Sequence, residues 1–138
     1  HQLSLLDVTT GKIVKTLDIG KKPTHMAVSP DRSKLYVVSS NEDLIDIIDL
    51  KTAEKMEPIT LPVGSFPNLF TLSPDGKTAY ISCTGTDTIQ VVNLEDRQVD
   101  KSLPIQIRSL GMTLGTPFAE NSKAGMMIPK SSLLKKAP

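Results

Sequence analysis

The sequence predicts an all-β chain made of β-propeller blades, each of four antiparallel strands, forming an incomplete propeller segment. Three observations carry this expectation. The stretch LSPDGKTAYIS at 72–82 repeats VSPDRSKLYVVS at 28–39 with an offset of 44 residues. Four short apolar runs bounded by turn residues recur within each period. A period of about 40–45 residues is that of propeller blades when the runs inside it are strands.

The runs fall near 24–29, 34–39, 44–49 and 54–61, and again near 68–73, 78–83, 88–93 and 98–105. They are about five to eight residues long and rich in Val, Ile, Leu and Thr, too short and too β-branched for helices. The first two strands of each unit are apolar at consecutive positions, which predicts that both of their faces are covered. The fourth-strand pattern KIVKTLDI at 12–19 alternates Ile13, Leu17 and Ile19 with Thr16 and Asp18, which predicts a half-exposed outer edge.

The connections repeat as well. Ser29, Pro30, Asp31 and Tyr36 return as Ser73, Pro74, Asp75 and Tyr80, and Gly20 and Pro23 return as Gly64 and Pro67. IIDL at 47–50 returns as VVNL at 91–94 and has an earlier copy in LLDV at 5–8, offset by 42. The SPDG of 73–76 has the residue preferences of a type I turn whose last residue can turn left-handed. Arg32 stands where Gly76 does, and a positive φ there would cost on the order of 1 kcal/mol. The turn around Arg32 is therefore expected to differ slightly.

Composition bounds the rest. The chain has 138 residues, about one domain on a scale of roughly 100–200. Its 38% hydrophobic and 22% charged residues make it too apolar to be read as disordered, and no run of about 18 apolar residues could span a membrane. The first residue is His1, which opens directly into an apolar alternation, so the chain reads as trimmed, processed or excerpted. The net charge is +1, and six of the seven charged residues after position 100 are Lys or Arg. That basic end could meet an acidic partner or nucleic acid, but it lacks the aromatic interleaving that stacking on bases requires, which favours a solvated tail. Cys83 is the only cysteine, so no internal disulfide is possible.

LLDVTTGKIV, GKKP, HMAVSPDRSKLYVVS and LFTLSPDGKTAYIS together resemble the YVTN family of β-propeller repeats over roughly residues 3–105. With no Trp, the WD-repeat signature itself is absent. The expected organisation is a repeat segment over 1–128, with units at about 3–19, 24–61 and 68–105, a degenerate unit at 110–128, and a basic flexible tail at 129–138. That is about three blades where propellers use about four to eight. The segment is expected to be part of a larger ring, seven-bladed as the resemblance implies, or to cover its faces by self-association. The resemblance also implies a periplasmic, cell-surface or secreted location.

Few residues suggest chemistry. His25 opens an inner strand, but its counterpart one period on is Leu69, which favours packing or channel lining over catalysis. Asp7, Asp49 and Asn93 share one repeat position, where a side-chain oxygen can bond the backbone N–H two residues on. Asp31 and Asp75 also read as turn residues. The acidic run NEDLIDIID at 41–49 suggests calcium, yet alternation points Asp46 away from Asp49 and the twelve-residue calcium loop is missing, so no metal and no cofactor are expected. No motif joins a nucleophile to a base. The loops at one end of the ring are the expected binding rim, with Lys21, Lys22, Asn41, Ser65, Phe66 and Thr84 on it and His25 and Asn68 facing the channel.

The favoured function is a non-catalytic binding or protein-interaction scaffold, whose partner is a protein or small ligand at that rim. The alternatives are a fragment of a propeller enzyme, lactonase-like or a dehydrogenase subunit as the resemblance implies, and a DNA-binding propeller, for which affinity would fall steeply with salt.

Overall fold

The computed structural model describes residues 1–105, 113–114 and 126–127. Strands β1 (Gln2–Asp7) and β2 (Lys12–Asp18) form a two-stranded sheet. Strands β3 (Pro23–Val28), β4 (Lys34–Ser39), β5 (Leu44–Asp49) and β6 (Glu54–Thr60) form one four-stranded blade in sequence order. Strands β7 (Pro67–Leu72), β8 (Thr78–Cys83), β9 (Thr88–Asn93) and β10 (Gln98–Pro104) form the next. All pairings are antiparallel, and the described residues are all-β, an incomplete propeller. Two short strands, β11 (Thr113–Leu114) and β12 (Met126–Met127), pair with each other. The rest of the expected unit at 110–128, and the tail at 129–138, lie outside the described residues.

Alternation along the middle strands builds two cores. Tyr36 and Val38 of β4 and Ile45 and Ile47 of β5 point toward the second blade, where they meet Phe70, Ala79, Ile81 and Val92. The intervening Leu35, Val37 and Ile48 point the other way and meet Leu3 and Ile19 of the two-stranded unit. Tyr36 and Phe70 stack across the interface, their ring centroids 5.7 Å apart.

One expectation is corrected. The deepest strands are the second and third of the blade, β4 and β5, not the first and second. The first strand β3 is the sheet's edge, with exposed positions alternating along it. On the face of β3 turned toward β1 and β2, Met26 is 54% and Val28 48% exposed, whereas Phe70, the equivalent of Met26 one period on, is 3% exposed. The cause is geometric. Among the described residues the unit before this blade contributes β1 and β2, which cover the outer half of the face, whereas Phe70 has a whole four-stranded blade to pack on.

The turns repeat down to single hydrogen bonds. Ser29 Oγ donates to Asp31 Oδ1 at 2.5 Å and accepts from the Lys34 N–H at 2.9 Å; Ser73 does the same with Asp75 at 2.6 Å and Thr78 at 2.9 Å. Asp7, Asp49 and Asn93 each accept from the backbone N–H groups two and three residues on, as their shared position predicts. Left-handed φ values recur as well: Arg32 (59°) with Gly76 (72°), Lys22 (54°) with Phe66 (45°), Asp43 (50°) with Asp87 (49°), and Gly11 (67°) with Ala53 (55°) and Arg97 (57°). Arg32 thus adopts the conformation of Gly76, and the expected difference at that turn is absent. The hydrogen-bonded turn dictates the backbone and the side chain tolerates the strain.

The offset changes from 42 to 44 at Pro62 and Val63. Strands β2 and β6 have equal lengths, and the buried Ile19 and Leu61 correspond at 42, while Gly20 and Gly64 correspond at 44. The two extra residues form a turn closed by Ser65 N–H donating to Pro62 O at 3.1 Å, with Val63 fully outside.

A buried carboxylate ties the first blade to the unit before it. Asp46 is 0% exposed, and its Oδ2 accepts from Gly20 N–H at 2.8 Å and from Ser39 Oγ at 3.2 Å. Its Oδ1 has no directed hydrogen bond and is balanced by the Lys55 ammonium at 2.6 Å, which also donates to Asp18 O at 3.3 Å. Gly20 must be glycine here, since a Cβ would lie 2.5 Å from Ser39 Cβ. Asp46→Ala leaves a buried N–H and hydroxyl unpaired and a half-exposed ammonium without its partner. It is expected to lower unfolding free energy by about 2–4 kcal/mol in urea titration; a loss under about 0.5 kcal/mol would show that the clamp carries no load.

Candidate functional site

The loops named as a candidate rim are tied to one another by backbone hydrogen bonds. The loop from the fourth strand to the next first strand is tied to the loop between the second and third strands of that blade. Ser40 N–H donates to Lys22 O at 3.0 Å and Asn41 N–H to Lys21 O at 3.2 Å; 44 residues on, Thr84 N–H donates to Phe66 O at 3.2 Å and Gly85 N–H to Ser65 O at 2.9 Å. The rim is therefore the same backbone device in both blades. Lys21, Lys22 and Asn41 lie on the first copy, and Ser65, Phe66 and Thr84 on the second.

The side chains on this frame differ. Lys21 pairs with Glu42 at 3.3 Å across exposed surface, a contact worth little in water. Ser65 is buried and donates to Pro62 O at 2.5 Å. Phe66 is 49% exposed, and its N–H and that of Gly64 are held by the two carboxylate oxygens of Asp43, at 2.8 and 2.7 Å. A Cβ on Gly85 would lie 2.4 Å from Phe66 Cδ2, so one edge of the ring rests on the neighbouring loop while the rest meets solvent. Phe66 is thus both a packing residue and a displayed aromatic.

His25 and Asn68 sit on the neighbouring inner strands β3 and β7, both half-buried. His25 lies opposite Val38, on the face turned to the second blade, and Asn68 falls at the irregularity of β7 between Pro67 and Leu69. Thr24 Oγ1 bridges the two strands by donating to Pro67 O at 3.4 Å. Neither His25 nor Asn68 has a side-chain hydrogen bond among the described residues. The strands bring these two residues to one end of the blades, near the rim, while Lys21, Lys22 and Asn41 stand one blade away from Phe66.

Asp43 and Asp46 were missed as organising residues. Asp46 carried a usable signal: a charged residue inside the apolar run LIDIID, matched one period on by Gln90, which is also buried and accepts from Ser102 Oγ at 2.5 Å. No group of three or more His, Cys, Asp or Glu side chains among the described residues is arranged to hold a metal. The Cys83 thiol is buried, and burial pushes it up to about 11.

At the opposite end of the blades, a cleft of about 270 Å³ opens between the SPD turn of the first blade and the SPDG turn of the second, with Tyr36 and Leu94 at its base. Gly76 lets these turns approach, since a Cβ there would lie 2.7 Å from Pro30 Cδ. The Ser29 hydroxyl, then the Ser33 N–H and hydroxyl, hold the Asp31 carboxyl at about 2, below its ordinary 3.8. Asp75 is lowered by the same kind of contacts, from Ser73 first and then Lys77 N–H.

No family model and no curated protein matches the chain. Among solved structures, it is similar to the hydrazine synthase of Kuenenia stuttgartiensis, with a TM-score of 0.70 and 28% identity over 77% of this chain and 30% of that one. It is also similar in fold to the dihydro-heme d1 dehydrogenase NirN in complex with DHE, with a TM-score of 0.70 and 12% identity over 92% of this chain and 32% of that one. Both are propeller-type proteins, and the chain spans about a third of the length of either.

The depressed carboxyls set a pH dependence. A carboxyl lowered on folding adds stability above its unfolded value and loses it as pH falls through its folded value. Stability should therefore fall between about pH 4 and pH 2, and carbon-detected NMR titration should place the Asp31 midpoint near 2. Asp31→Asn should flatten part of that fall; a midpoint at the ordinary 3.8 would show that the turn does not hold the charged form.

Proposed function

We propose that these blades are part of a binding scaffold of the YVTN propeller type that works through its loop rim. The carrying observation is the rim itself: one set of backbone hydrogen bonds repeats in two blades, while the groups on it change from the exposed Lys21 and Lys22 to the buried Ser65 and the half-exposed Phe66. A constant frame with exchangeable side chains is how rigid scaffolds acquire recognition. Phe66 is the anchor of this reading, an aromatic half in solvent whose backbone is clamped by Asp43 and so loses little freedom on binding. The partner is a protein or small ligand. The resemblance would place the whole protein in the periplasm, on the cell surface or outside the cell, which cell fractionation tests.

A photo-crosslinking residue at position 66 should capture in native cells the same partner mass as one at position 22, and position 51, at the other end of the blade, should capture none. Equal capture from all three positions, or none from 66, overturns the rim reading.

A second reading has its own support in the 28% identity to hydrazine synthase: the chain is a segment of a propeller enzyme subunit. In that reading His25 and Asn68 would supply polar groups at the channel. The readings separate on His25→Ala in the full protein assayed for hydrazine formation. The scaffold reading expects unchanged turnover at unchanged folding, and loss of general acid–base catalysis would cost about 100-fold or more.

A further inference from the structure

The cleft between the SPD turns belongs to neither reading above. It is bounded on one wall by Asp31 and Lys34, on the other by Asp75 and Lys77, and Tyr36 lines its base. Tyr36 is only 2% exposed as a whole, but its hydroxyl oxygen is not enclosed, and it has no hydrogen-bond partner among the described residues. Burial, and then the Asp31 charge, raise the Tyr36 phenol, so it stays a donor.

The other free groups complement it. Asp75 commits Oδ1 to Ser73 and the Lys77 N–H and leaves Oδ2 without a partner among the described residues, and the Lys34 ammonium has none there either. Lys77 pairs with Glu95 at 3.2 Å on the surface. The cleft therefore offers two donors and one acceptor beside the exposed ring of Pro30.

These features select a ligand class. An anion would meet three carboxylates, of Asp31, Asp75 and Glu95, against two ammonium groups. A multivalent cation lacks a group of three suitable ligands among the described residues. A large apolar ligand would strand the charged walls. A small neutral polyhydroxylated molecule fits, since each hydroxyl both donates and accepts and its C–H groups can rest on the Pro30 ring. The volume lies just below the range of about 300–1,000 Å³ usual for small-molecule sites, which suits a single sugar ring. We propose that this inter-blade cleft is a monosaccharide subsite, with the Tyr36 hydroxyl and Lys34 ammonium donating to the sugar and Asp75 Oδ2 accepting from it.

The test is a two-dimensional amide NMR titration of the whole chain with glucose, galactose, mannose and N-acetylglucosamine, each to roughly 50 mM, well above a millimolar Kd. At least one sugar should shift amides within 29–36, 75–77 and 94–95 and leave the rim amides in place. Tyr36→Phe keeps the ring that stacks on Phe70 and should weaken binding about fivefold, the worth of one neutral hydrogen bond. Asp75→Asn keeps the turn acceptor and serves as the second variant should Tyr36→Phe lower the melting temperature. Absence of shifts with all four sugars, shifts confined to the rim, or equal affinity in a folded Tyr36→Phe or Asp75→Asn protein would overturn the proposal.

Discussion

A four-stranded blade with two apolar faces cannot satisfy both by itself, and this constraint governs the whole structure. Along β4 and β5 successive side chains go alternately into the core shared with the next blade and the core shared with the previous unit. Each fully buried Val, Leu or Ile contributes about 1.5–3 kcal/mol, so the larger core, with a dozen buried residues, outweighs any polar contact in the chain. Blades stack because nothing else on the chain can hide so much apolar surface. Met26 and Val28 lie on the part of the face that no described residue covers.

Polar groups at the seams decide register rather than total stability. Gly20 and Gly64 occupy one repeat position, yet the Gly20 N–H goes to Asp46, in the deep third strand of the following blade, and the Gly64 N–H goes to Asp43, in a rim loop. The difference follows from Pro62 and Val63, which lengthen the second loop and bring Gly64 within reach of Asp43. The first interface is thereby closed by a buried carboxylate and the second by a clamp at the surface. Buried charge is a poor source of net stability but penalises a wrong alignment heavily, since a slipped Asp46 would lose its N–H, its hydroxyl and its ammonium together.

The two ends of the blades have different tasks. At the rim, backbone bonds hold the loops and leave side chains free to vary. At the opposite end, serine hydroxyls and aspartates consume most of each other's bonding capacity in tight turns, and what is left over, above all the Tyr36 hydroxyl, gathers in the space between two turns. Left-handed residues occur at both ends, and four of the ten are at positions with no glycine in any copy, so hydrogen bonding and strand geometry impose the conformation there.

Strand positions, turn chemistry and the repeat were legible from residue types alone, because alternation and Asx or Ser-Pro-Asp turns are local and each recurs at a fixed offset. Every strand end from β3 to β10 falls within one residue of its expected place. Membership of Lys21, Lys22, Asn41, Ser65, Phe66 and Thr84 in one kind of loop end followed from the same periodicity. Depth did not, because β3 and β4 carry similar apolar runs and only the sheet order makes one an edge and the other a centre. The backbone partners of Asp43 and Asp46 were also beyond local reading: they lie 21 to 26 residues away, and which acid captures which N–H depends on how far apart stacked sheets and a two-residue insertion hold them. Tertiary packing alone put Tyr36 under a cleft, since that space exists only where one blade's turn leans on the glycine of the next.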